Sequence, residues 1–334
     1  MNESSSRLPL PFKDRTTGLR VFGILTILLG CLCGLMVLLM ILGQVLTAKT
    51  SETAVNYRSI IQAAAVYVFL AVALVWLGIG SIMARRWARA LLLIFSWTWL
   101  TMGIVSLIFM GIFLPTLLEN MQADLPQGQA AMSFGVKAVV MIISLGMLAV
   151  FFVALPIVWI LFYRSPHVKQ TCEARDPVAG WTEACPLPVL NMSLWVGISA
   201  LMLLLMPLSC RGVFPFFGTF LPGWPGTFVY LVFAIVMGYS AYAMYKLDMR
   251  GWWLNFVSFC VLGISHWVTY ARQDLMEFYR LAGYADEQLE QLQKFSASSG
   301  SLVVWGTLLV ALPFLGYLIY LKKLFRRAGP AGEL

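Results

Sequence analysis

Charged side chains are scarce in this sequence of 334 residues. Only 11% of the residues are Asp, Glu, Lys or Arg, whereas 60% are hydrophobic. Soluble domains average about 25% charged and about 45–50% apolar residues. A soluble globule of this length could not bury so much apolar surface, so the composition excludes an ordinary soluble protein and indicates a membrane protein.

The few charges are clustered, and eight long spans carry none at all. Each span exceeds the roughly 18–20 apolar residues that cross a hydrocarbon core about 30 Å thick. Backbone polar groups in lipid need partners within the chain, so each span is predicted to be a helix. The spans are 21–48, 59–84, 90–118, 138–163, 184–210, 212–245, 251–271 and 295–321. The fold class predicted is an all-α polytopic integral membrane protein with eight transmembrane helices.

The lengths of the first and the sixth spans are informative. The first is far longer than the about 7–15 residues of a signal-peptide core, and LTAKTS after it is a poor cleavage site. We therefore expect the first helix to remain as an anchor. The sixth span is too long for one helix and begins with GVFPFFGTFLPGWPG at 212–226. This segment predicts an aromatic, interfacial hairpin, either lying in the headgroups or covering an external opening, with the helix beginning near Thr227.

Recognised catalytic and ligand-binding motifs are missing. The chain has no Gly-rich phosphate loop, no H-E-x-x-H, no G-x-S-x-G and no TVGYG filter. The short GIGS at 78–81 lies within an apolar span, where it cannot cradle a nucleotide. No cofactor is therefore predicted. Nucleic acid is not an expected partner either, because the 23 cations are spread over many short loops.

Ionisable side chains are nearly absent from the apolar spans. Apart from thiols and tyrosines the candidate is His266 in the seventh span, and such groups mark ion paths, proton relays and catalytic centres. No carboxylate lies at comparable depth, which favours a histidine hydrogen-bonded near Ser265 or Thr269, or one that faces an external cleft. Asn191 and Asn255, near the inner ends of the fifth and seventh spans, are predicted to join helices by hydrogen bonds.

The distribution of Lys and Arg predicts the orientation. If the connections alternate between two sides, the side with both termini receives sixteen of the 23 cations and the other side receives seven. Cytoplasmic loops are enriched in Lys and Arg, so both termini are predicted to be cytoplasmic. The localisation expected is a bacterial inner (plasma) membrane. The basic inner face is expected to attract anionic lipid.

Several short segments recur along the chain at a similar offset. VALPIVWILFY at 153–163 resembles VALPFLGYLIY at 310–320, and YVFLAVA at Tyr67 resembles YLVFAIV at Tyr230. The matches keep the same order at offsets of 157 to 163, which predicts a tandem duplication of a four-helix unit. Four is even, so both copies would enter from the same side as a parallel repeat, a plan known in transporters whose sites lie between the repeats.

The duplication predicts the organisation of the chain. A cytoplasmic tail at 1–18 precedes the first four-helix repeat at 19–163, a cytoplasmic linker at 164–187 leads to the second repeat at 188–321, and a cytoplasmic tail follows at 322–334. Pro156 and Pro313 occupy equivalent places in the fourth and eighth spans. Proline removes a helical hydrogen bond and clashes one turn back, so both are expected to kink their helices, whether as a cavity or hinge or as a tolerated feature of shape.

Two loops carry polar candidates. The linker holds His167, Cys172 and Cys185, residue types that bind zinc, but the two cysteines are thirteen apart and the paired spacing of zinc sites is lacking. No metal is therefore predicted, and the linker is expected to cover the inner ends of the helices. The outer loop at 272–298 has Leu and Met at helical spacing opposite a row of acids. It predicts one or two amphipathic helices, broken at Gly283, that pack on the bundle or dock a partner.

These observations favour a noncatalytic membrane component: a scaffold, sensor or assembly partner that acts through its loops and inner surface. The alternative is a permease or channel for a neutral or apolar solute, because the spans contain hydroxyls and aromatic rings but almost no charge. A membrane-embedded enzyme that uses His266 or the linker is the second alternative. The expected partners are the lipid bilayer and, as a further alternative, a second copy or another membrane protein. A cavity between the halves would favour transport.

Overall fold

The computed structural model describes residues 13–50, 57–123, 134–284, 286, 288–290, 292–293 and 311–325. These residues are predominantly helical. The helices with assigned bounds are α1 (Thr16–Thr50), α2 (Tyr57–Ile82), α3 (Arg86–Ala123), α4 (Phe134–Ala149), α5 (Leu155–Arg164), α6 (Pro166–Arg175), α7 (Leu187–Ser209), α8 (Trp224–Tyr245), α9 (Met249–Arg272) and α10 (Leu275–Ala282). The helical residues 311–325 are called α11.

Seven helical stretches in the described part of the chain are long and apolar enough to cross a membrane. They are Thr16–Gly43, Ala64–Ile82, Arg86–Ile112, Gly135–Arg164, Leu187–Ser209, Trp224–Tyr245 and Met249–Arg272. Each overlaps one of the first seven predicted spans, so the prediction of an all-α integral membrane protein is confirmed at this level. The predicted eighth span, 295–321, is described only from residue 311 onward, and that part is helical.

Pro156 changes the helical hydrogen bonding in the fourth span. A π-helical turn, Val150–Ala154, joins α4 to α5 immediately before this proline. Proline has no N–H to offer the carbonyl of Phe152 one turn back, and its ring crowds that carbonyl. The oxygen of Phe152 instead faces Gly103 of α3, where a Cβ atom would overlap it. The π-helical turn and the close contact with α3 therefore both occur next to Pro156, where the sequence predicted a distortion of the helix. The residues one turn before Pro313 lie outside the described part of the chain.

The transmembrane helices pair closely as neighbours along the chain. In the α1–α2 pair, Gly23 and Gly78 face each other so closely that a Cβ on either would lie less than 3 Å from the other's carbonyl oxygen, at 2.8 and 2.7 Å. In the α7–α8 pair, a Cβ on Gly197 would lie 3.8 Å from the Cβ of Ala241. Small residues let helix backbones approach in lipid, where van der Waals contact replaces the hydrophobic effect as the attraction.

The turns after α2 and α8 have the same geometry. Ala84 and Leu247, which lie 247 − 84 = 163 positions apart, both adopt left-handed backbone angles, with φ of 52° and 61°. The N–H of Ala84 donates to Ser81 O at 2.9 Å, and that of Leu247 donates to Met244 O at 2.9 Å. The next N–H in each turn donates one residue further back, to Gly80 O and Ala243 O, both at 2.9 Å. These two hydrogen bonds together form a Schellman motif, which ends many helices. Its left-handed residue is usually glycine but is Ala84 or Leu247 here.

The same two turns also share a close contact with the next helix. A Cβ on Gly80 would lie 2.6 Å from the Cβ of Ala88, and a Cβ on Gly251 would lie 2.8 Å from the Cβ of Ala243. Each turn therefore has one glycine and one alanine in contact, and the two residue types have exchanged places between the turns. The helices α3 and α9 accordingly leave their turns in the same way.

The repeated tyrosines of the fourth and eighth spans are not in equivalent surroundings. Tyr163 is fully buried and its hydroxyl lies 2.7 Å from Ser81 Oγ. Tyr320 is 51% exposed, and α11 instead buries Leu318 and Leu321. The hydroxyl of Tyr317 donates to Pro188 O at 2.9 Å. The sequence match aligns Tyr320 with the buried Tyr163, but in α11 the next residue, Leu321, is buried instead. The buried face of α11 is therefore shifted by one residue.

The linker 164–187 covers the helix ends on one side of the bundle, which we call the linker side. Its ordered elements are α6 and a 3₁₀ turn, Trp181–Glu183. Glu183 makes two hydrogen bonds with the Arg86 guanidinium, at 2.6 and 2.8 Å, at the start of α3. The hydroxyl of Tyr245 at the end of α8 donates to Trp181 O at 2.9 Å. The linker thus joins helices that precede it in the chain to helices that follow it. The helices α1–α5 are called the first half of the bundle, and the helices α7–α11 are called the second half.

The opposite side, which we call the hairpin side, carries a β-hairpin of Phe214–Phe216 and Thr219–Leu221. The segment 212–226 was predicted to be a hairpin, and α8 begins at Trp224, three residues before the predicted Thr227. The hairpin is fixed to α9, because Ser265 Oγ donates to Pro215 O at 2.8 Å and Thr269 Oγ1 accepts from Gly218 N at 3.0 Å. Beside it, α10 ends at Gly283, which has a φ of 84° and lies where the helix was expected to break.

Candidate functional site

A cavity of about 780 Å³ lies between the two halves of the bundle. One wall is α3, from Ile94 to Val105. The others are α7 from Leu187 to Ser199, the linker-side part of α9, the described part of α11, and Met237 of α8. Ligand sites typically measure about 300–1,000 Å³ and are mostly apolar, so the cavity has the size and lining of a ligand site.

A hydrogen bond on the wall of this cavity joins α3 to α7. Trp195 of α7 donates from Nε1 to Thr98 Oγ1 of α3 at 2.9 Å, and both residues line the cavity. The indole ring presents its large apolar surface while its N–H is satisfied, which is how buried tryptophans are usually placed. The bond fixes the spacing of α3 and α7 and leaves the space beside it open.

Polar groups are concentrated at the linker-side end of the cavity. Asn191 lies four residues after the start of α7, and Asn255 lies six residues after the start of α9. At 1.5 Å per residue, both are about 6–9 Å from those helix ends. Asn191 Nδ2 donates to the Tyr317 hydroxyl at 3.4 Å, and that hydroxyl donates to Pro188 O. The expected interhelical bond of Asn191 therefore joins α7 to α11.

The two asparagines each keep a buried polar atom without a partner among the described residues. These atoms are Asn191 Oδ1, which accepts a hydrogen bond, and Asn255 Nδ2, which donates one. Asn255 is only 1% exposed and lines the same cavity as Asn191. A buried polar group left without a hydrogen bond costs about 1–3 kcal/mol, so native structures satisfy nearly all of them. Both atoms have almost no accessible surface themselves, so neither opens into the cavity.

The remainder of the lining is apolar and carries no charge. Among the described residues that form the cavity there is no Asp, Glu, Lys, Arg or His. Toward the membrane centre the walls are formed by rings and aliphatic chains, including Trp97, Met102 and Phe259. Burying an ion without a counter-charge is very costly, so this lining suits a neutral molecule.

The cavity has an edge on the lipid-facing surface. Trp97, Met102 and Tyr320 all line it and are 45%, 51% and 51% exposed. A side chain that is exposed at membrane depth faces lipid. These residues therefore form the part of the cavity wall that the surrounding bilayer reaches.

The linker candidates are not brought together. Cys172 packs in the buried cluster of the first half with Tyr163 and Val168, whereas Cys185 packs in the cluster of the second half. Among the described residues no group of three or more His, Cys, Asp or Glu is placed to hold a metal ion. Burial raises the pKa of each thiol to about 11, so both are protonated near neutral pH. His167 keeps a buried Nδ1 without a partner in the described part of the chain.

His266 is placed away from the cavity. Ser265 and Thr269, its expected partners, bond the β-hairpin instead. The imidazole contacts the ring of Tyr270, with 4.4 Å between the ring centres. His266 therefore belongs to the surroundings of the hairpin.

Sequence reasoning found some of the cavity residues and missed others. Asn191, Asn255 and Pro313 were candidates, and the structure brings all three to one cavity. Thr98, Trp195 and Tyr317 were missed, because hydroxyl and indole groups in apolar spans are too common to single out. Pro156 lies elsewhere, in the fourth span. Comparison with protein-family models, curated proteins and solved structures gives no match.

Proposed function

We propose that this protein is a noncatalytic multi-pass membrane protein that binds a neutral, largely apolar molecule in the cavity between its halves, as a permease for such a solute does. The single observation that carries the proposal is an uncharged cavity of about 780 Å³ at the contact between α3 and α7. A packed centre would have favoured a purely structural role. The lipid-facing edge at Trp97 and Met102 gives an apolar molecule a route from the bilayer.

The proposal includes an architecture of eight transmembrane helices in two similar halves. Its support is the pair of turns at Ala84 and Leu247, which share their backbone angles and hydrogen bonds 163 positions apart, and the exchanged glycine–alanine contacts beside them. The close pairs α1–α2 and α7–α8 occupy the same places in the two halves. The unequal surroundings of Tyr163 and Tyr320 mean that the last helices of the halves have diverged. Binding sites between repeats are typical of duplicated transporters.

The proposal places the linker side in the cytoplasm of a bacterial inner membrane. Among the described residues, the cations on that side are Lys13, Arg15, Arg20, Arg85, Arg86, Arg89, Arg164, Lys169, Arg175, Lys246, Arg250, Lys322 and Lys323, whereas Lys49, Arg58, Lys137, Arg211, Arg272 and Arg280 lie on the hairpin side. The cation excess marks the cytoplasmic face, and it suits contact with anionic lipid headgroups. Both termini are then cytoplasmic.

Photolabelling tests the binding function. The full chain is reconstituted in phosphatidylcholine vesicles with a diazirine-bearing hexadecane, irradiated and digested, and the labelled residues are mapped. We expect labels on the cavity faces of α3 and α7 that are lost when Ser199→Phe fills the space. Leu201→Phe is the matched control, because Leu201 is on the same helix and 58% exposed to lipid. Equal labelling in the wild type and the Ser199→Phe variant would overturn the proposal.

A second candidate function, a scaffold or assembly partner, is favoured by the ion-paired linker. Arg86, Glu183 and Asp176 hold it against the bundle as a defined surface. The Ser199→Phe variant separates the candidates in cells. If a growth defect caused by deletion of the protein is rescued as well by Ser199→Phe as by the wild type, the cavity is dispensable and the scaffold is favoured. Loss of rescue with normal membrane abundance favours the cavity.

A further inference from the structure

We propose that the cavity selects a neutral molecule that carries a hydrogen-bond acceptor, a long-chain ketone in its simplest form, and that the hydroxyl of Ser199 donates to this acceptor near the middle of the membrane. The inference rests on the proposed binding function and names the chemical class of the ligand. It follows from three hydroxyl groups of the cavity wall, Thr98 and Thr101 on α3 and Ser199 on α7, which we call the hydroxyl band.

The three hydroxyls of the band are close in depth. The helices α3 and α7 both begin at the linker and run toward the hairpin side. Thr98 and Trp195 mark matching positions on the two helices, because their side chains form a hydrogen bond of 2.9 Å. Thr101 follows Thr98 by three residues and Ser199 follows Trp195 by four. Both therefore remain on the face that lines the cavity, about 4.5–6 Å further along their helices.

The hydroxyl band lies near the middle of the membrane. Ser199 is the thirteenth of the 23 residues of α7, and Thr101 is the sixteenth of the 27 residues of the stretch Arg86–Ile112. Hydrocarbon chains surround the bundle at this depth, and water that could satisfy a polar group is scarce there. A hydroxyl at this level therefore depends on a partner in the protein or on a bound molecule.

Ser199 differs from nearby hydroxyl residues in the bonds that its side chain makes. A helical serine or threonine often donates to the carbonyl four residues back. Thr101 Oγ1 donates in this way to Trp97 O at 2.9 Å, and Ser96 Oγ donates to Leu92 O at 2.7 Å. Ser199 Oγ has no hydrogen bond with a described residue. Ser199 is exposed and lines the cavity, and its side chain is only a CH₂–OH group, so a bound molecule reaches the hydroxyl.

The proton of the Ser199 hydroxyl sets the chemistry of the ligand. A ketone oxygen accepts this hydrogen bond and brings no donor of its own into the membrane, whereas a hydrocarbon leaves the hydroxyl unsatisfied. A carboxylate also accepts, but the described lining residues include no cation to balance its charge. Thr98 Oγ1 accepts from Trp195 and donates to no described residue, so the band offers a second donor to the same ligand class.

Competition with a matched pair of molecules tests the inference. The full chain in phosphatidylcholine nanodiscs is labelled with the diazirine-bearing hexadecane, and labelling of the cavity faces of α3 and α7 is competed with 2-hexadecanone or with hexadecane. The ketone preference is the ratio of the two half-inhibitory concentrations, and the different partitioning of the two molecules into lipid cancels when variants are compared. We expect Ser199→Ala to lower this preference about fivefold, which corresponds to one hydrogen bond of about 1 kcal/mol.

Ser106→Ala is the matched control. Ser106 is also exposed on a transmembrane helix, α3, but it is not part of the cavity lining. Removing its hydroxyl should leave the ketone preference unchanged. A wild-type preference that persists in Ser199→Ala, or an equal loss of preference in Ser106→Ala, would overturn the inference.

Infrared spectroscopy gives a second readout, which a change in packing alone would not move. A hydrogen bond lowers the stretching frequency of a carbonyl group. With 2-hexadecanone carrying a ¹³C-labelled carbonyl, the wild type should therefore show a band below that of the ketone in protein-free nanodiscs. We expect this band to be lost in Ser199→Ala and kept in Ser106→Ala. A wild-type spectrum identical to that of the ketone in lipid would contradict the inference.

The outcomes also separate this inference from the proposed function. If hexadecane competes with the probe but Ser199→Ala leaves the ketone preference unchanged, the binding function stands and the inference about the acceptor fails. If the probe does not label the cavity faces of α3 and α7 in the wild type, the binding function itself fails, and the inference fails with it. Labelling by the probe should persist in Ser199→Ala, because alanine leaves the space open.

Discussion

Trp195 of α7 and Thr98 of α3 form a hydrogen bond of 2.9 Å between the indole Nε1 and the threonine Oγ1, across the contact between the two halves. The bond lies on the wall of the cavity, so it joins the halves beside the open space between them. The relationship therefore connects the stability of the fold to the geometry of the candidate site.

Removing this bond should loosen the halves. In Thr98→Val the shape of the side chain is kept and the acceptor is lost, which leaves the indole N–H of Trp195 without its partner. We expect a loss of about 0.5–2 kcal/mol in the free energy of unfolding, within the range found for side-chain hydrogen bonds in membranes. Unfolding in mixed micelles measures it. Thr219→Val on the β-hairpin is the control, because it removes an exposed hydrogen bond, from Thr219 Oγ1 to Phe216 O at 3.1 Å; an equal loss there would contradict the assignment.

Gly103→Ala should destabilise the contact between α3 and the fourth span. A Cβ at this position would overlap the Phe152 carbonyl, the group displaced by Pro156. Backbone cannot move aside as a flexible side chain does, so we expect a loss of about 1–3 kcal/mol. Gly146→Ala is matched, because a Cβ on Gly146 meets nothing within 4 Å. Its expected change is neutral or stabilising, and a loss equal to that of Gly103→Ala would show that the close contact is not the cause.

The linker should detach more readily when Arg86 loses the guanidinium group that pairs with Glu183. Arg86 pairs with Glu183 at 2.6 and 2.8 Å, and its side chain is only 17% exposed, but the carboxylate is 36% exposed. Solvent weakens such a pair, so we expect a loss of about 1 kcal/mol in Arg86→Gln, or roughly a fivefold faster cleavage of the linker by protease. Arg85→Gln is the control, since its single contact to Asp176 is 3.4 Å long. Similar cleavage of both variants would contradict the role of the ion pair between Arg86 and Glu183.

The buried linker thiols predict a loss of stability at high pH. Burial raises the pKa of Cys172 and Cys185 from 9.0 to about 11 in the folded chain. A thiol whose folded pKa is raised favours folding below the unfolded value and loses that contribution as the pH rises from about 9 to about 11. The free energy of unfolding of the wild type should therefore fall more between pH 8 and pH 10.5 than that of Cys172→Ala,Cys185→Ala, by about 2 kcal/mol for each thiol, as measured by thermal unfolding at both pH values. Parallel shifts would mean that the thiols do not titrate with unfolding.

The membrane helices could be predicted from the sequence because their signal is local. A stretch such as 21–48 lacks charge, and the cost of exposing a peptide backbone to lipid leaves the helix as the solution. The break at Gly283 could also be predicted locally. A helix often ends at a residue with left-handed backbone angles, and glycine adopts those angles most easily. These features depend on a few adjacent residues.

The cavity could not be predicted, because it depends on how distant helices pack. The sequence marked Asn191 and Asn255 as polar, but 64 positions separate them and no periodicity shows that α7 and α9 face one space. Matching letters also misled at the end of α11, where Tyr320 resembles Tyr163 in sequence but is exposed. Side-chain environment there depends on which face of the helix the neighbours cover.

A cryo-electron microscopy map of the full chain in lipid nanodiscs tests the central claim most directly. We predict elongated non-protein density in the cavity between α3 and α7. The side chains of Trp97 and Trp195 should border it. A map in which those side chains and α11 fill the space, with no room for another molecule, would contradict the proposal that this protein binds a neutral, largely apolar molecule between its halves.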